Sequence, residues 1–237
     1  MPSRSRNALA GAVNVPLFVT GLIAALGTAG LALYLSFNRL VPGDVAVERA
    51  IQSVQWGPLN IAFDFFNWIG DAKGFALELA VFLVVIAYNH RAWLIAAGAS
   101  LTACWYFFLT NLIIRARPTV PEVLRVTVHP GASSFPSGHT IFICTLMATL
   151  VLCLGYRFIR GWGRAVAWAV AAGVIAANDI GRIYSGAHWP SDVLAGMLIA
   201  TAWLCLWLSV RLVFERIYSP SRSSSTARVA SRDFQPS

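Results

Sequence analysis

Long apolar runs alternate with short polar segments along the chain, and their lengths predict membrane-spanning helices. Lipid offers no partner to backbone polar groups, so a chain that crosses a bilayer repeatedly in such runs must do so as helices. A helix needs about 20 apolar residues to cross a hydrocarbon core, and each run approaches this length. We therefore expect an all-α, polytopic membrane protein with six transmembrane helices. The predicted spans are 16–37, about 74–89, about 92–114, about 135–156, about 165–180 and about 193–214.

The segment between the first two spans is neither polar enough for a free loop nor apolar enough to span. Within DVAVERAIQSV, apolar and polar residues fall on opposite sides of a helix. This pattern predicts a short amphipathic helix on the membrane surface. The aromatic stretch LNIAFDFFNWIGD that follows suits the headgroup layer. We interpret the segment as an interfacial packing element, with a lid over a lipid entrance as the alternative.

The positions of the basic residues predict the orientation in the membrane. The chain has 237 residues with 57% hydrophobic and 12% charged residues, a formal net charge of +8 and one lysine, Lys73. Basic residues lie at the ends of apolar runs, which argues against a nucleic-acid partner. Six spans place both termini on one side, which the positive-inside rule makes the cytoplasm. That side holds Arg4, Arg6, Arg91, Arg157, Arg160, Arg164 and the C-terminal tail.

The same arrangement predicts the domain organisation. We expect one six-helix transmembrane domain over 1–216 and a basic Ser/Arg-rich cytoplasmic tail over 217–237. The tail lacks apolar periodicity, which predicts disorder. We expect the protein in a bacterial plasma (inner) membrane.

The unusual polar segments all fall on the predicted extracytoplasmic side: RARP (115–118), SSFPSGHT (133–140) and GRIYSGAHWPSD (181–192). In the second, Ser134 is a predicted N-cap, and Pro136 suits the first turn of a helix. Gly138 would let a ligand approach a helix N-terminus that binds anions, and His139 is placed to donate a proton. Simple helix capping is the alternative interpretation.

In the third segment, His188 and Asp192 are four residues apart, so their side chains share a helix face. A carboxylate on one ring nitrogen would leave the other free as base or nucleophile; a structural His–Asp cap is the alternative. Arg117 and Arg182 favour a catalytic site over structural capping, because guanidiniums near a membrane need an anionic partner and match phosphate oxygens. The set predicts phosphoryl transfer. With no acidic cluster in the pattern, we expect neither a metal nor another cofactor.

The segments RP (117–118), PSGH (136–139) and R-x5-H-x3-D (182–192) resemble the three signature motifs of the type 2 phosphatidic acid phosphatase (PAP2) superfamily. Six spans match its membrane branch of lipid phosphate phosphatases, with a core over about 74–214. The resemblance implies that His188 is the nucleophile and forms a phosphohistidine, that Asp192 orients it, and that His139 protonates the leaving group. It implies that the phosphoryl oxygens are held by Arg117, Arg182, Ser137 and the Gly138 N–H.

The implied substrate is a membrane lipid phosphate or pyrophosphate, such as phosphatidic acid, phosphatidylglycerol phosphate or a polyprenyl pyrophosphate. The bilayer is the only other partner expected, and the sequence predicts no oligomeric state. Two positions depart from the family pattern: Thr110 replaces a lysine, and Gly181 replaces a serine. Arg115 and Lys73 are the candidates for supplying the missing positive charge.

Other functions agree less well with these residues. A lipid phosphotransferase would use the same covalent histidine step, and a catalytically weak lipid-phosphate binder would keep only the anion site. A serine hydrolase using Ser137 or Ser134 would gain little from two arginines, and the chain has no G-x-S-x-G segment. A lipid carrier would be expected to show repeated halves, which the chain lacks. We interpret Asp179 as structural and Glu78 as hydrated near the interface.

Overall fold

The computed structural model describes residues 13–69, 72–128, 131 and 133–218, and the long elements in this part of the chain are all helices. The expected all-α fold is therefore confirmed. A 3₁₀ turn, His90–Ala92, separates α4 from α5, and α7 continues through a π-helical segment, Leu150–Gly155, and a short turn, Tyr156–Phe158. The helices are α1 (Val15–Phe37), α2 (Asp44–Ser53), α3 (Leu59–Trp68), α4 (Ala72–Asn89), α5 (Trp93–Ser100), α6 (Thr102–Leu112), α7 (Gly138–Thr149), α8 (Gly163–Tyr184), α9 (Pro190–Ser209) and α10 (Arg211–Tyr218).

Five helical stretches of the described chain are long and apolar enough to cross a membrane. They indicate a multi-pass membrane protein, as the sequence predicted. Four of them correspond to single predicted spans, whereas the second and third predicted spans form one continuous stretch of 40 residues. The stretches are Val15–Phe37, Lys73–Leu112, Gly138–Phe158, Gly163–Tyr184 and Pro190–Ser209.

The last two predicted spans had incorrect boundaries. Helix α8 continues to Tyr184 instead of ending near 180, so its last turn contains Arg182, which is buried and bonded to protein. Helix α9 begins at Pro190 and ends at Ser209; Val210 is extended and separates it from α10. The predicted tail overlaps the end of α10. Its residues from 219 onward, like Arg4 and Arg6, lie outside the described residues.

The 40-residue stretch is bent at the His90–Ala92 turn. Gly74 and Glu78 on α4 line the same cavity as Ser100, at the end of α5, and Tyr106 on α6. Residues before the turn therefore lie beside residues after it, as in an antiparallel hairpin. This arrangement makes α4 one wall of the cavity and α5–α6 the next.

Helix α9 lies at the centre of the bundle, where it packs against α1, α5 and α7. A Cβ atom on Gly196 would lie 2.8 Å from Thr140 Cβ and 2.9 Å from Ser137 O, so only glycine allows this close approach. Small residues promote such contacts between membrane helices. The result is that the N-terminus of α7, with His139, is held against the first turns of α9.

Helix α2 is amphipathic as predicted, but its polar face points into the protein. Asp44, Glu48 and Gln52 are 4%, 0% and 1% exposed, whereas Val47 and Val54 are each 46% exposed. This orientation is stable because protein groups satisfy the polar side chains, and the apolar side then faces outward. Within the segment between the first two spans, none of residues 44–53 lines the cavity, whereas Ile69, directly after α3, does.

Candidate active site

The three polar segments meet at one end of the bundle, around a cavity of about 470 Å³. Its outer end is lined by Arg117, His139, Arg182 and His188. These residues come from the α6–α7 loop, the start of α7, the end of α8 and the α8–α9 turn. The chemical groups predicted from separate parts of the sequence therefore share one space.

His188 is 4% exposed and is oriented by a backbone carbonyl. Its Nδ1 lies 2.7 Å from Ser134 O, at hydrogen-bond distance, and 4.0 Å from Asp192 Oδ2, beyond it. The predicted orienting hydrogen bond from the His188 ring to Asp192 is therefore not present; the Ser134 carbonyl takes the place of the carboxylate. A carbonyl accepts only from N–H, so Nδ1 bears the proton and Nε2 keeps its lone pair.

Burial lowers the pKa of His188 well below its usual range, and the nearby guanidiniums of Arg182 and Arg117 lower the pKa further. The hydrogen bond to Ser134 acts in the opposite direction but is outweighed. The ring is therefore neutral at physiological pH, the form that a nucleophilic nitrogen requires.

His139 is the second residue of α7 and lines the cavity beside His188. Its Nε2 is buried and has no hydrogen-bond partner within the described part of the chain. A buried nitrogen without a protein partner is available to exchange a proton with a ligand.

The two arginines reach the cavity in different ways. Arg117 donates from Nε to Gly131 O at 2.7 Å, and its other two nitrogens donate to Ala187 O and Ser133 O. Arg182 donates to Asn67 Oδ1, from α3. Three backbone carbonyls hold the Arg117 guanidinium in place without neutralising its charge, and an amide oxygen orients that of Arg182.

The start of α7 differs from the prediction in two details. Its N-cap is Ser137, not Ser134: the Ser137 hydroxyl accepts from Thr140 N and lies 3.0 Å from Thr140 Oγ1, whose own proton goes to Asp179. Ser137 is fully buried and does not line the cavity, so its side chain is not placed to hold a phosphoryl group. Gly138 does line it, but a Cβ there would lie 2.8 Å from the Tyr106 ring. A side chain at this position would meet the Tyr106 ring, so packing favours glycine here.

Neither candidate for the missing positive charge lines the cavity. Arg115 is 3% exposed and donates to Asp44 Oδ2 at 2.6 Å, to Ser191 Oγ at 2.8 Å and to Asp192 Oδ1. The exposed Lys73 lies over the Trp68 ring and donates to its carbonyl. Thr110, at the position of the family lysine, lines the cavity itself. The proposed substitution of that charge by Arg115 or Lys73 is therefore wrong.

Arg115 instead joins two carboxylates into a buried ion-pair network behind the His188 turn. Asp192 also accepts from Trp189 N at 2.9 Å, and Asp44 accepts from Ser191 N at 3.0 Å. Asp44 thus ties α2 to the first turn of α9, and Asp192 caps that turn.

Sequence reasoning missed the inward polar face of α2. Gln52 donates to Arg125 O and Ile183 O and accepts from Leu124 N. Glu48 Oε1 lies 3.3 Å from Gln52 Nε2, so three acceptors share the two amide protons of Gln52. Burial and the nearby Asp44 carboxylate raise the pKa of Glu48 to about 9. The spacing of these polar residues, each four apart, was the available signal.

Two further predictions concern individual polar residues. Asp179 accepts from Thr140 Oγ1 at 2.7 Å and from Asn178 at 2.8 Å, which agrees with a structural role. Glu78 lies in the lining of the cavity.

Comparison with known proteins agrees with this geometry. A model of the PAP2 superfamily matches residues 91–217, more than half of the chain. The chain belongs to the PAP2 superfamily. This confirms the family that the three motifs predicted, and with it the enzyme class, a lipid phosphatase.

Individual relatives span much of the same region. The decaprenylphosphoryl-5-phosphoribose phosphatase of Mycobacterium tuberculosis (strain ATCC 25618 / H37Rv) is 27% identical over 166 residues, 68% of this chain and 87% of the relative. The undecaprenyl-diphosphatase of Sulfolobus acidocaldarius is 34% identical over 85 residues, 35% of each chain. The crystal structure of the transmembrane PAP2 type phosphatidylglycerolphosphate phosphatase from Bacillus subtilis matches with a TM-score of 0.65 and 21% identity, covering 86% of this chain and 99% of that one. This likeness shows the fold.

Proposed function

We propose that this PAP2 protein dephosphorylates a membrane lipid phosphate or pyrophosphate through a phosphohistidine at His188, without a metal ion. The principal support is the convergence of two histidines and two arginines on one cavity. Phosphoryl transfer needs a positioned nucleophile, a proton donor and fixed positive charge around the equatorial oxygens. The outer end of the cavity offers all three.

In the first step, His188 Nε2 attacks phosphorus while the bond from phosphorus to the lipid oxygen breaks. The Nδ1–H bond to Ser134 O orients the ring for this attack. His139 gives its proton to the departing oxygen, which keeps the bonding electron pair. Water then attacks phosphorus and gives a proton to His139 while the bond from phosphorus to His188 Nε2 breaks, which releases inorganic phosphate.

Arg117, Arg182 and the Gly138 N–H hold the phosphoryl oxygens in this proposal. Arg117 uses three of its five N–H groups on carbonyls of the described chain, which leaves two for a ligand. The Gly138 N–H opens α7 and is free of an intrahelical partner. Asp192 acts indirectly, by holding the first turn of α9 through Arg115 and Trp189.

A lateral opening of the cavity supports a lipid substrate. Phe75 on α4 and Phe107 on α6 both line the cavity, yet they are 72% and 62% exposed. A ligand between them would have its phosphate near the histidines and its tail on the lipid-facing surface. The relatives act, by name, on decaprenylphosphoryl-5-phosphoribose, undecaprenyl diphosphate and phosphatidylglycerol phosphate; we propose a substrate of this kind, with phosphatidic acid as a further candidate.

We further propose six membrane crossings within one domain over 1–216. A straight helix of 40 residues would be about 60 Å long, twice a hydrocarbon core of about 30 Å. The bend at His90–Ala92 supports two crossings by Lys73–Leu112. Asn14 N donates to Ser209 O at 2.7 Å, so the first and last crossings have their ends on one side. With Arg91, Arg157 and Arg164 near that end, we place it in the cytoplasm and the active site outside the plasma (inner) membrane.

We propose that α2 and α3 lie in the interfacial layer on the outer side. Their exposed residues include Val47, Val54, Ile61, Phe65 and Trp68, a mixture of apolar and aromatic side chains typical of that layer. Their inward faces meet the active-site turn and α8.

The test uses purified protein in detergent with EDTA and a panel of these lipid phosphates. We expect phosphate release by the wild type that survives chelation and disappears in His188→Ala. His90→Ala is the matched control, because His90 lies in the turn at the opposite end of the bundle and should leave release unchanged. An acid-labile, alkali-stable phosphoryl label on the wild type would support the phosphohistidine. Phosphorylated lipid in place of inorganic phosphate would identify a phosphotransferase, and binding without turnover would identify a weak binder.

A further inference from the structure

The inner end of the cavity contains three polar residues that the proposed chemistry does not use. Glu78 on α4, Ser100 on α5 and Thr145 on α7 line it. The walls around them are apolar, with Ala103 and Phe142 as examples. An ionisable residue inside a membrane-spanning helix is unfavourable by several kcal/mol and usually marks a functional site.

The hydrogen bonds of these residues define what they can bind. Thr145 Oγ1 donates to Ile141 O at 2.9 Å, and Ser100 Oγ donates to Ala96 O at 3.3 Å. Each hydroxyl has one proton, so both can only accept from a ligand. Within the described part of the chain, Glu78 has no hydrogen-bond or ion-pair partner, and its carboxyl oxygens are further acceptors. The inner end therefore suits a ligand that brings several donors.

The distance from the histidines indicates which part of the substrate reaches these acceptors. His139 and Thr145 both line the cavity and are six residues apart on α7, about 9 Å along the helix axis. A leaving group that extends inward by this distance from a phosphoryl group at the outer end would therefore reach Glu78. The ester of a simple lipid alcohol offers no hydroxyl there, whereas a sugar or polyol fills this distance with donors.

We propose that the inner end is a subsite for a hydroxylated leaving group, in which the scissile phosphate is esterified to a sugar or polyol that itself bears the lipid. This inference rests on the proposed function and specifies its substrate class. In the reaction, the bond from phosphorus to the sugar oxygen breaks, that oxygen takes a proton from His139, and water supplies the oxygen of the released phosphate.

The experiment compares dodecyl β-D-glucopyranoside 6-phosphate with dodecyl phosphate, which shares the chain and the phosphate but lacks the sugar. We expect kcat/KM of the wild type to be at least about ten-fold higher for the glucoside, as one or two hydrogen bonds to a carboxyl group would give. In Glu78→Leu the ratio of the two kcat/KM values should fall towards one. Glu78→Gln, which keeps hydrogen-bonding groups, should retain an intermediate ratio.

Thr145→Val and Thr102→Val form a matched pair. Both remove one buried hydroxyl without a large change in shape, but Thr145 lines this cavity and Thr102 does not. We expect Thr145→Val to lower the ratio several-fold and Thr102→Val to leave it at the wild-type value.

The outcomes separate the subsite from the proposed function. Equal kcat/KM for the two substrates, or a ratio that Glu78→Leu leaves intact, would overturn the subsite while histidine-dependent phosphate release still supported the phosphatase. Absence of phosphate release from both substrates by folded wild type would overturn both proposals.

Discussion

Arg115 and Arg117 are two residues apart in the same short segment, yet they belong to regions with different electrostatics. Arg115 lies in the buried network behind the His188 turn, where Asp44 and Asp192 surround it. Arg117 lies in the front wall of the cavity, where backbone carbonyls hold it. No carboxylate pairs with Arg117 within the described residues, so its positive charge remains available to an anion. The number of fixed counter-charges, not the residue type, separates a structural arginine from a ligand-binding one.

The first prediction addresses stability and has the largest expected effect. Arg115→Ala leaves two like-charged carboxylates buried without their partner, which typically destabilises a protein by about 3–5 kcal/mol. We expect a large fall in the thermal unfolding temperature of the purified protein in detergent. Arg117→Ala is the comparison and should lower this temperature much less, because it removes hydrogen bonds to carbonyls but leaves no buried carboxylate unpaired. Equal losses in the two variants would contradict the distinction between the regions.

The second prediction addresses catalysis. Arg117→Ala removes a fixed donor to the phosphoryl group and should lower kcat/KM about 10²–10³-fold, the usual effect of losing one such donor. Phosphate release at matched amounts of folded protein measures it. Arg39→Ala is the control, because Arg39 forms an exposed ion pair with Glu122 and should have little effect on rate or stability. A rate for Arg117→Ala within a few-fold of wild type would remove Arg117 from the anion site.

The third prediction concerns Glu48, a buried carboxyl group in the region behind the His188 turn. Because its pKa is raised to about 9 in the folded protein, the folded state binds more protons than the unfolded state between about pH 4.5 and pH 9. The contribution of Glu48 to the free energy of unfolding is therefore greatest at low pH and falls as pH rises through that window. Glu48→Gln should raise the unfolding temperature at pH 8 by several degrees and change it little at pH 5. An equal change at both pH values would contradict the raised pKa.

The fourth prediction concerns the front of the cavity and is the smallest effect. The lowered pKa of His188 keeps its ring neutral below the ordinary histidine range, so the loss of kcat/KM that protonation of His188 causes should occur below about pH 6.5. In Arg117→Ala the fall should begin at higher pH, since one positive neighbour is lost while burial and Arg182 remain. Both profiles use one substrate, so its own titration is common to them. If kcat/KM of the variant instead began to fall at lower pH than that of the wild type, Arg117 would not be a cause of the lowered pKa of His188.

Much of the fold was predictable from local patterns. Apolar runs of spanning length form helices wherever they occur, because the backbone in lipid has no other way to satisfy its polar groups. The boundaries shifted where buried polar residues found protein partners, as at Arg182 on the last turn of α8. The hydrophobic pattern of α2 predicted its helix, but the burial of its polar face depends on Leu124, Arg125 and Ile183, from distant parts of the chain.

By itself, the sequence determined the helical membrane architecture, the family and the residue types of the active site, because spacing within a helix or a short motif is local. Only the tertiary structure decided the role of each residue. Arg115 and Asp44 are 71 residues apart in the sequence, yet their side chains form an ion pair in the fold. The fold likewise places the Ser134 carbonyl at His188, 54 residues away, and Glu78 in the cavity. A local pattern does not specify which distant surfaces meet, and it is that meeting which gives a charged side chain its partner.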